Sequence, residues 1–272
     1  MASTPSIDLA AVKQRQQQTW STGDFSELAT TNTVLGELLC EAIDIRAGQK
    51  VLDVATGSGN TAIAAARRFC DVTGIDYVPA LLERARERTR AEHLQIDFQV
   101  GDAELIPCPD HSFDVVLSTF GVMFAPNQEQ AAQELIRVCR SGGKIGLVNH
   151  TPEGFFGQVF KLTGQYAPPP AGLKPPVLWG TEDRLHELFG NRISSLETNR
   201  RSWTLRYRSV EHWIEYFRAW YGPTIKTFEG LDPARQAEYQ QGLEALLHQY
   251  NRSGDGTLVL ASEYLEVAAT GA

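Results

Sequence analysis

Short apolar runs alternate with amphipathic segments through the first 150 residues of the chain. Near-continuous apolar runs are typical of strands that are buried on both faces of a parallel sheet. The runs predict strands at 51–54, 71–75, 96–100, 113–117 and 144–149. A polar segment predicts an N-terminal helix at 8–18, and an alanine-rich segment predicts one at 61–69. Apolar residues at helical spacing predict helices at 33–43, 79–92 and 127–139, the last ended by a Ser-Gly-Gly turn at 141–143.

The last third of the chain has a different pattern. Five prolines between positions 168 and 176 predict a stiff, non-helical connector. After it the spacing predicts a helix at 182–189, a strand at 193–207, helices at 210–221 and 233–250, and a strand at 257–267. Two late strands separated by helices predict an antiparallel edge hairpin with a helical insertion.

Regular alternation of strands and helices predicts an α/β fold. We expect a Rossmann-like, doubly wound, mostly parallel seven-stranded sheet with an antiparallel C-terminal edge hairpin and a helical cap insertion. The predicted organisation is an N-terminal helical lid at 1–45, a core at 46–208 and 252–272, and a cap at 209–251.

Composition narrows the class of protein. A formal net charge of −8 argues against a general binder of nucleic acid or of membrane surfaces. Neither a secretory segment nor an apolar run near the roughly 20 residues that cross a bilayer is recognisable. Four widely spaced cysteines, without a Cys-x-x-Cys pair, favour reduced thiols and a cytoplasmic protein.

The most informative segment is Val51–Asn60, an apolar strand that runs into Gly57 and Gly59. A strand that turns through Gly-x-Gly into a helix lets a ligand approach bare backbone amides. Asp53 adds a negative charge at the tip of this strand. A carboxylate repels phosphate and attracts an ammonium or sulfonium group, so the sign favours S-adenosylmethionine over a nucleotide phosphate.

Carboxylates also follow the next two strands. Ligands of open parallel sheets bind beyond the carboxyl ends of the strands, so Asp53, Asp76 and Asp102 are expected on one rim. One such residue alone is often a helix cap or a turn former, but three on one rim indicate a binding site. Asp76 suits a ribose diol, and Asp102 suits an exocyclic amine. Ala103 leaves room for a planar ring, and Tyr77 can pack on a purine face.

Together these segments resemble the motifs of class I S-adenosylmethionine-dependent methyltransferases. Residues 51–60 are similar to motif I, and residues 74–77 to the ribose-binding motif. The likeness is to the ubiquinone/menaquinone-biosynthesis C-methyltransferase-like (type 11) branch and covers about residues 14–190. Further similar segments are 20–24, 101–107, 112–116, 120–126, 134–138, 141–144 and 151–155. The chain departs from the family at Ala55, often glycine there, and at His150, often tryptophan.

The resemblance implies S-adenosylmethionine as cofactor, S-adenosylhomocysteine as product, and a small molecule as methyl acceptor. It implies that the methionine part of the cofactor is bound by Asp53, Gly57, Ser58, Gly59 and Thr119. It implies that Asp76 binds the ribose and that Tyr77, Asp102 and Ala103 contact the adenine. Trp20 and Phe25 are expected to form a lid. The acceptor atom (O, N or C) and the oligomeric state stay open.

The acceptor side of the site is less defined. His150 follows the fifth strand, and a neutral imidazole there can take a proton from a phenol or enol, or can simply pack. Trp213 and Phe217 have helical spacing that fits either core packing or a cap over an aromatic substrate. Tyr166 and Trp179 flank the proline-rich connector and are candidates for the same pocket. No two histidines have metal-ligand spacing, so no metal is expected.

Two other functions compete. Residues 57–62 match the Gly-x-Gly-x-x-Ala pattern of nucleotide-dependent oxidoreductases, although Asp53 would repel a pyrophosphate there. A protein that binds S-adenosylmethionine without turnover is the second alternative, because methyl transfer needs no diagnostic base.

Overall fold

A computed structural model describes residues 7–272 of the chain. Seven strands form one sheet in the order β3-β2-β1-β4-β5-β7-β6. The strands are β1 Lys50–Val54, β2 Asp71–Asp76, β3 Asp97–Val100, β4 Phe113–Thr119, β5 Cys139–His150, β6 Ile193–Tyr207 and β7 Leu258–Gly271. The predicted fold class is confirmed.

Helices cover both faces of the sheet. Those before β5 are α1 Leu9–Trp20, α2 Phe25–Ala29, α3 Thr33–Ile43, α4 Asn60–Ala66, α5 Pro79–Ala91 and α6 Gln128–Val138. Those after β5 are α7 Phe155–Tyr166, α8 Glu182–Phe189, α9 Val210–Trp220, α10 Gly222–Glu229 and α11 Pro233–Tyr250. The first six residues of the predicted 1–45 lid lie outside the described residues.

The strand order reverses beside β1. This strand pairs in parallel with β2 on one side and with β4 on the other. The connections leave β1 and β4 in opposite directions, which opens a crevice beyond their carboxyl ends. At the far edge β7 runs antiparallel to both β5 and β6, and α9, α10 and α11 are inserted between β6 and β7. The predicted edge hairpin with its helical insertion is therefore present.

The core has one layer on each face of the sheet. Val51, Val115 and Val148 face one layer, together with α3, α4 and the aromatic residues of α9. Their neighbours Leu52, Val116 and Leu147 face the other layer, where α6 and α8 pack. Both layers are apolar, which explains why these strands are continuous apolar runs and do not alternate with polar residues.

Some elements differ from the sequence prediction. The pattern did not predict α2, α7 or α10. Gly157 hides the start of α7 from the sequence pattern, because a glycine there does not favour a helix. The structure requires this glycine, since a Cβ would lie 2.3 Å from the carbonyl oxygen of Thr151. Helix α6 ends at Val138, and residues 141–143 belong to β5 rather than to a helix end. In residues 7–272 no helix is both long enough and apolar enough to cross a bilayer.

Candidate active site

The loop between β1 and α4 forms the floor of a cavity at the carboxyl ends of the strands. Gly57 and Gly59 have φ values of 55° and 87°, the left-handed region that glycine enters without strain. Ala55 is left-handed as well, with φ of 54°, at a cost of about 1 kcal/mol for a residue with a Cβ. A Cβ on Gly57 would meet only Phe25, 4.0 Å away, so the loop backbone is open toward that ring.

Asp53 ties this loop to the sheet. Its Oδ2 accepts hydrogen bonds from Thr56 Oγ1 at 2.5 Å and from the backbone N–H of Ala62 at 2.9 Å. The side chain is buried, and burial raises the pKa of Asp53 to about 7, against the lowering effect of the two hydrogen bonds. Asp53 therefore braces the start of α4 in addition to lining the cavity.

Asp76 ends β2 and touches the loops on both sides. Its Oδ2 accepts from the backbone N–H of Gly57 at 2.9 Å, and its Oδ1 accepts from that of Val78 at 2.8 Å. Burial raises the pKa of Asp76 to about 6 in spite of these bonds. Each carboxylate oxygen keeps acceptor capacity beyond its backbone partner, and Asp76 lines the cavity.

Asp102 is paired with a residue that the sequence did not indicate. Lys13 of α1 lies 2.6 Å from Asp102 Oδ2 and 2.5 Å from Glu104 Oε2. Burial by itself would lower the pKa of Lys13, but its hydrogen bonds to Asp102 and Glu104 raise it above the usual value. The contact joins residues 89 positions apart, so no local pattern reveals it.

Helices α1 and α2 cover the cavity from above. Gln17 Nε2 donates to the carbonyl oxygen of Tyr77 at 2.5 Å. Trp20 packs edge-on against both Phe25 and Tyr221, each with ring centroids 5.7 Å apart. The backbone N–H of Asp24 donates to the carbonyl of Trp220 at 3.2 Å, which fixes α2 to the end of α9. The N-terminal segment therefore contacts both the acidic rim and the helical insertion.

Aromatic side chains line the other half of the cavity. The ring of Phe120 stacks on His150, with centroids 3.7 Å apart and planes 9° apart. Phe156 and Trp203 lie on the same cluster, 4.7 Å and 5.9 Å from the His150 ring. Further lining residues on this side are Phe124, Leu205, Phe217 and Tyr221. Burial lowers the pKa of His150 to about 3, so the imidazole is neutral at physiological pH.

The structure brings nearly all predicted cofactor residues to this one cavity. Those that line it are Trp20, Phe25, Asp53, Gly57, Ser58, Asp76, Tyr77, Asp102, Ala103 and Thr119. Gly59 does not, because it lies beneath the loop, where a Cβ would stand 3.2 Å from Ala85. Thr119 Oγ1 accepts a 2.8 Å hydrogen bond from Thr61, so its hydroxyl is held at the end of β4.

Of the four predicted acceptor-side aromatic residues, only Phe217 lines the cavity. Trp213 lies behind it, stacked at 3.8 Å and almost fully buried, because helical spacing turns it toward the core. Trp179 is buried in the layer on the opposite face of the sheet, next to Phe189. Tyr166 packs on Tyr239 in the helical insertion. The expectation that these three line the pocket is corrected.

Several lining residues were not identified from the sequence. They include Lys13, Gln16, Phe120, Phe124, Phe156, Trp203 and Leu205. The alternation of Trp203, Leu205 and Tyr207 in β6 was a usable signal, because it marks one buried face of an otherwise exposed strand. The others depend on contacts between distant segments.

The charges in the cavity are mostly negative. Four carboxylates line it, those of Asp53, Asp76, Asp102 and Glu104, and Lys13 is the cation among the lining residues. Such a rim repels a pyrophosphate and suits a ligand with a positive charge. No group of three or more His, Cys, Asp or Glu residues within 7–272 is placed to hold a metal ion.

Comparison with known sequences agrees with this geometry. Residues 52–147 match the family profile described as a methyltransferase domain. An uncharacterized protein of Mycobacterium tuberculosis is 39% identical over 267 residues, which cover 96% of both chains. The demethylmenaquinone methyltransferase of Deinococcus radiodurans is 40% identical over 128 residues, which cover 46% of this chain and 53% of that enzyme. The demethylmenaquinone methyltransferase of Thermus thermophilus is 33% identical over 154 residues, which cover 51% of this chain and 70% of that enzyme.

Solved structures share the fold. The YcgJ protein of Bacillus subtilis superposes with a TM-score of 0.61 at 19% identity, over 87% of this chain and 97% of that one. A putative methyltransferase of Bacillus halodurans gives a TM-score of 0.58 at 22% identity, over 86% and 97%.

Proposed function

Because the chain belongs to the class I S-adenosylmethionine-dependent methyltransferases of the type 11 branch, we propose that its acidic rim holds the cofactor and its aromatic half holds the methyl acceptor. The observation that carries this proposal is the convergence of Asp53, Asp76 and Asp102 on one cavity. Methyl transfer from S-adenosylmethionine is the activity of the family. The division of the cavity and the class of acceptor are our proposals.

The residues present fit the cofactor. Asp76 is a buried carboxylate at a strand end with acceptor capacity left beyond its two backbone partners, so it suits the ribose hydroxyls. The loop at Gly57 and Ser58 presents backbone without an obstructing side chain, so it suits the methionine part. Asp102 and Ala103 suit the adenine, provided that Asp102 shares its carboxylate between Lys13 and the adenine amine.

The protein's contribution to the chemistry is placement and exclusion of water. The cofactor supplies a methyl group on a positively charged sulfur, which is already activated toward a nucleophile. Trp20, Phe25 and Tyr221 form an aromatic cover where the N-terminal segment meets the helical insertion. A closed apolar cover excludes water from the nucleophile and orients it toward the methyl group, and both effects lower the barrier to transfer.

We assign the acceptor to the side lined by Phe120, Phe156, Trp203 and Phe217. Flat apolar rings favour a planar, uncharged small molecule, since they bury its faces and offer no counter-ion to a carboxylate or phosphate. The net charge of −8 makes a nucleic-acid acceptor unfavourable. The curated relative named as a demethylmenaquinone methyltransferase supports a ring-shaped acceptor.

The organisation of the chain follows from this assignment. We propose residues 1–45 as the lid, 46–208 and 252–272 as the cofactor-binding core, and 209–251 as the cap that adds Phe217 and Tyr221 to the cavity. The four cysteines carry no disulfide, which supports a cytoplasmic location for the protein.

Calorimetric titration with S-adenosylhomocysteine and with NADH tests the cofactor assignment. We expect S-adenosylhomocysteine to bind and NADH to give no response; the reverse result would favour the nucleotide-dependent oxidoreductase. Release of S-adenosylhomocysteine is then screened against phenols, quinols and small carboxylic acids. We expect turnover with oxygen-bearing rings and none with aliphatic carboxylic acids. Cofactor binding without turnover across the screen would favour the non-catalytic binding protein.

A further inference from the structure

The ring of His150 is held rigidly between aromatic neighbours. Phe120 stacks on it at 3.7 Å with nearly parallel planes, and Phe156 lies at 4.7 Å with planes 39° apart. Trp203 lies beyond, at 5.9 Å. The side chain is only 6% exposed, and it lines the cavity. Packing of this kind fixes the plane of the imidazole and therefore the directions in which its two nitrogens point.

One of these nitrogens lacks a partner in the protein. The Nδ1 atom is buried and has no hydrogen-bond partner among residues 7–272. Leaving a buried N–H without an acceptor costs about 1–3 kcal/mol of folding stability. Buried donors are left unsatisfied more rarely than buried acceptors are. The less costly neutral tautomer therefore keeps Nδ1 unprotonated and carries the proton on Nε2.

We propose that His150 serves the methyl acceptor as a hydrogen-bond donor, through Nε2–H, to an oxygen of the bound ring. This inference rests on the proposed function of the same cavity. Removing a proton from the acceptor would create an imidazolium with a second N–H at Nδ1, which has no acceptor in the described structure. The protein accordingly selects acceptors that carry a carbonyl or phenolic oxygen within reach of Nε2, and it does not use His150 as the base.

The surroundings of the imidazole support a permanently neutral ring. The groups packed against it come from the end of β4, from α7 and from β6, and they are the uncharged rings of Phe120, Phe156, Phe160 and Trp203. Tyr264 is the titratable residue opposite His150 in the β5–β7 pair. Burial is the cause of the lowered pKa of His150, with no charged neighbour contributing.

Long-range nitrogen NMR of the histidine side chains tests the tautomer directly. Spectra of ¹⁵N-histidine-labelled protein, with and without S-adenosylhomocysteine, are recorded between pH 5.5 and 8.5, and His150 is assigned by loss of its signals in the His150→Phe variant. We expect the neutral Nε2–H form throughout. An Nδ1–H form, or a titration within that range, would overturn the proposal. If that variant does not fold, His150→Gln provides the assignment.

Two probes of equal shape test the donor. Acetophenone carries an oxygen that only accepts hydrogen bonds, and α-methylstyrene has the same planar outline with a CH2 group in place of that oxygen. With S-adenosylhomocysteine bound, we expect the preference for acetophenone to fall about tenfold in His150→Phe and to be partly kept in His150→Gln, whose amide still donates. His186→Phe, at an exposed histidine of α8, is the matched control.

Equal preference in the wild type and in His150→Phe would overturn the inference while leaving methyl transfer untouched. Failure of S-adenosylhomocysteine to bind would count against the proposed function instead. The NMR spectra of the protein without ligand would then still show which tautomer His150 adopts, and so would still test the inference.

Discussion

The carboxylate of Asp76 accepts a hydrogen bond from the backbone N–H of Gly57, which lies 2.9 Å from Oδ2. The end of β2 and the glycine loop after β1 are therefore one unit, although 19 positions separate the two residues. The same carboxylate is the proposed partner of the ribose. A substitution at Asp76 should therefore affect both the bound ribose and the glycine loop, which we propose binds the methionine part of the cofactor.

Replacing Asp76 by asparagine should weaken cofactor binding strongly. The amide removes the charge that strengthens each hydrogen bond and presents a donor where both neighbours are donors. We expect the affinity for S-adenosylhomocysteine to fall by about 2 kcal/mol, a typical loss for charged hydrogen bonds. Isothermal titration calorimetry at pH 7.5 measures it.

The matched control is Asp71→Asn, at the exposed beginning of the same strand. It should leave the affinity unchanged. If Asp76→Asn binds the cofactor product as tightly as the wild type does, the ribose assignment is wrong.

Cofactor binding should also depend on pH. Burial raises the pKa of Asp76 to about 6. Only the ionised carboxylate accepts from both ribose hydroxyls, so binding below this pH requires loss of a proton. We expect an affinity for S-adenosylhomocysteine that is constant above pH 7 and falls toward about tenfold per pH unit below 6. Calorimetry between pH 5 and 8 gives the profile, and Asp76→Asn should flatten it below pH 6. A wild-type profile that is flat over the whole range would exclude this linkage.

Asp53 should make the free protein less stable at higher pH. Its pKa is raised to about 7 by burial, so the folded state holds this proton more tightly than the unfolded state does. That stabilisation is complete below the unfolded pKa near 3.8 and is lost as the pH rises through about 7. Asparagine mimics the protonated acid, so we expect Asp53→Asn to raise the melting temperature most at pH 8 and by a smaller amount at pH 5, where the wild type has lost only part of this stabilisation.

Differential scanning calorimetry without cofactor measures this difference. Asp97→Asn, an exposed aspartate at the start of β3, is the control and should show no such dependence. A variant Asp53→Asn that melts lower than the wild type at pH 8 would mean that the buried carboxylate is stabilising when charged.

Lys13 should hold the N-terminal helix over the cavity. Its side chain is 26% exposed and pairs with both Asp102 and Glu104, so solvent screens the pair only in part. We expect Lys13→Met to weaken the contact of α1 with Asp102 and Glu104 by about 1 kcal/mol. Dissociation of S-adenosylhomocysteine should then be about fivefold faster. Stopped-flow displacement measures the rate.

Lys226→Met removes a comparable surface pair with Glu229 on α10 and is the control. An unaltered dissociation rate in Lys13→Met would show that α1 is held by its other contacts, those of Gln17 and Trp20.

Phe217 and Trp213 allow a test of the acceptor side with neighbouring residues of one helix. They stack at 3.8 Å, but only Phe217 lines the cavity. We expect Phe217→Leu to raise the KM for the acceptor several-fold with unchanged cofactor affinity. Trp213→Phe should leave a buried void that costs about 1–3 kcal/mol of the free energy of unfolding, and so should lower the melting temperature. The KM should stay close to the wild-type value. Equal KM changes in both variants would place the acceptor elsewhere.

The cofactor half of the site could be predicted because its signals are local in the chain. Strand β1, the glycine loop and the start of α4 are consecutive. Asp53 and Asp76 lie at the carboxyl ends of β1 and β2, and Asp102 comes shortly after β3. Parallel strands bring these ends to one edge, so the sequence pattern also predicts their convergence. The same reasoning missed α7, since Gly157 and its phenylalanine neighbours resemble a loop as much as a helix.

The acceptor half could not be predicted because its members meet only in three dimensions. Whether Phe217 or Trp213 faces the cavity depends on how α9 is rotated against β6, and Trp179 is buried on the far face of the sheet by the packing of α8. Lys13 reaches Asp102 across 89 positions, and no periodicity encodes such a contact. The sequence alone therefore determined the fold class, the glycine loop and the acidic rim, because backbone geometry and strand direction fix them. The tertiary structure alone decided which rings surround His150 and which cation lies on the rim, because side-chain packing between distant segments sets both.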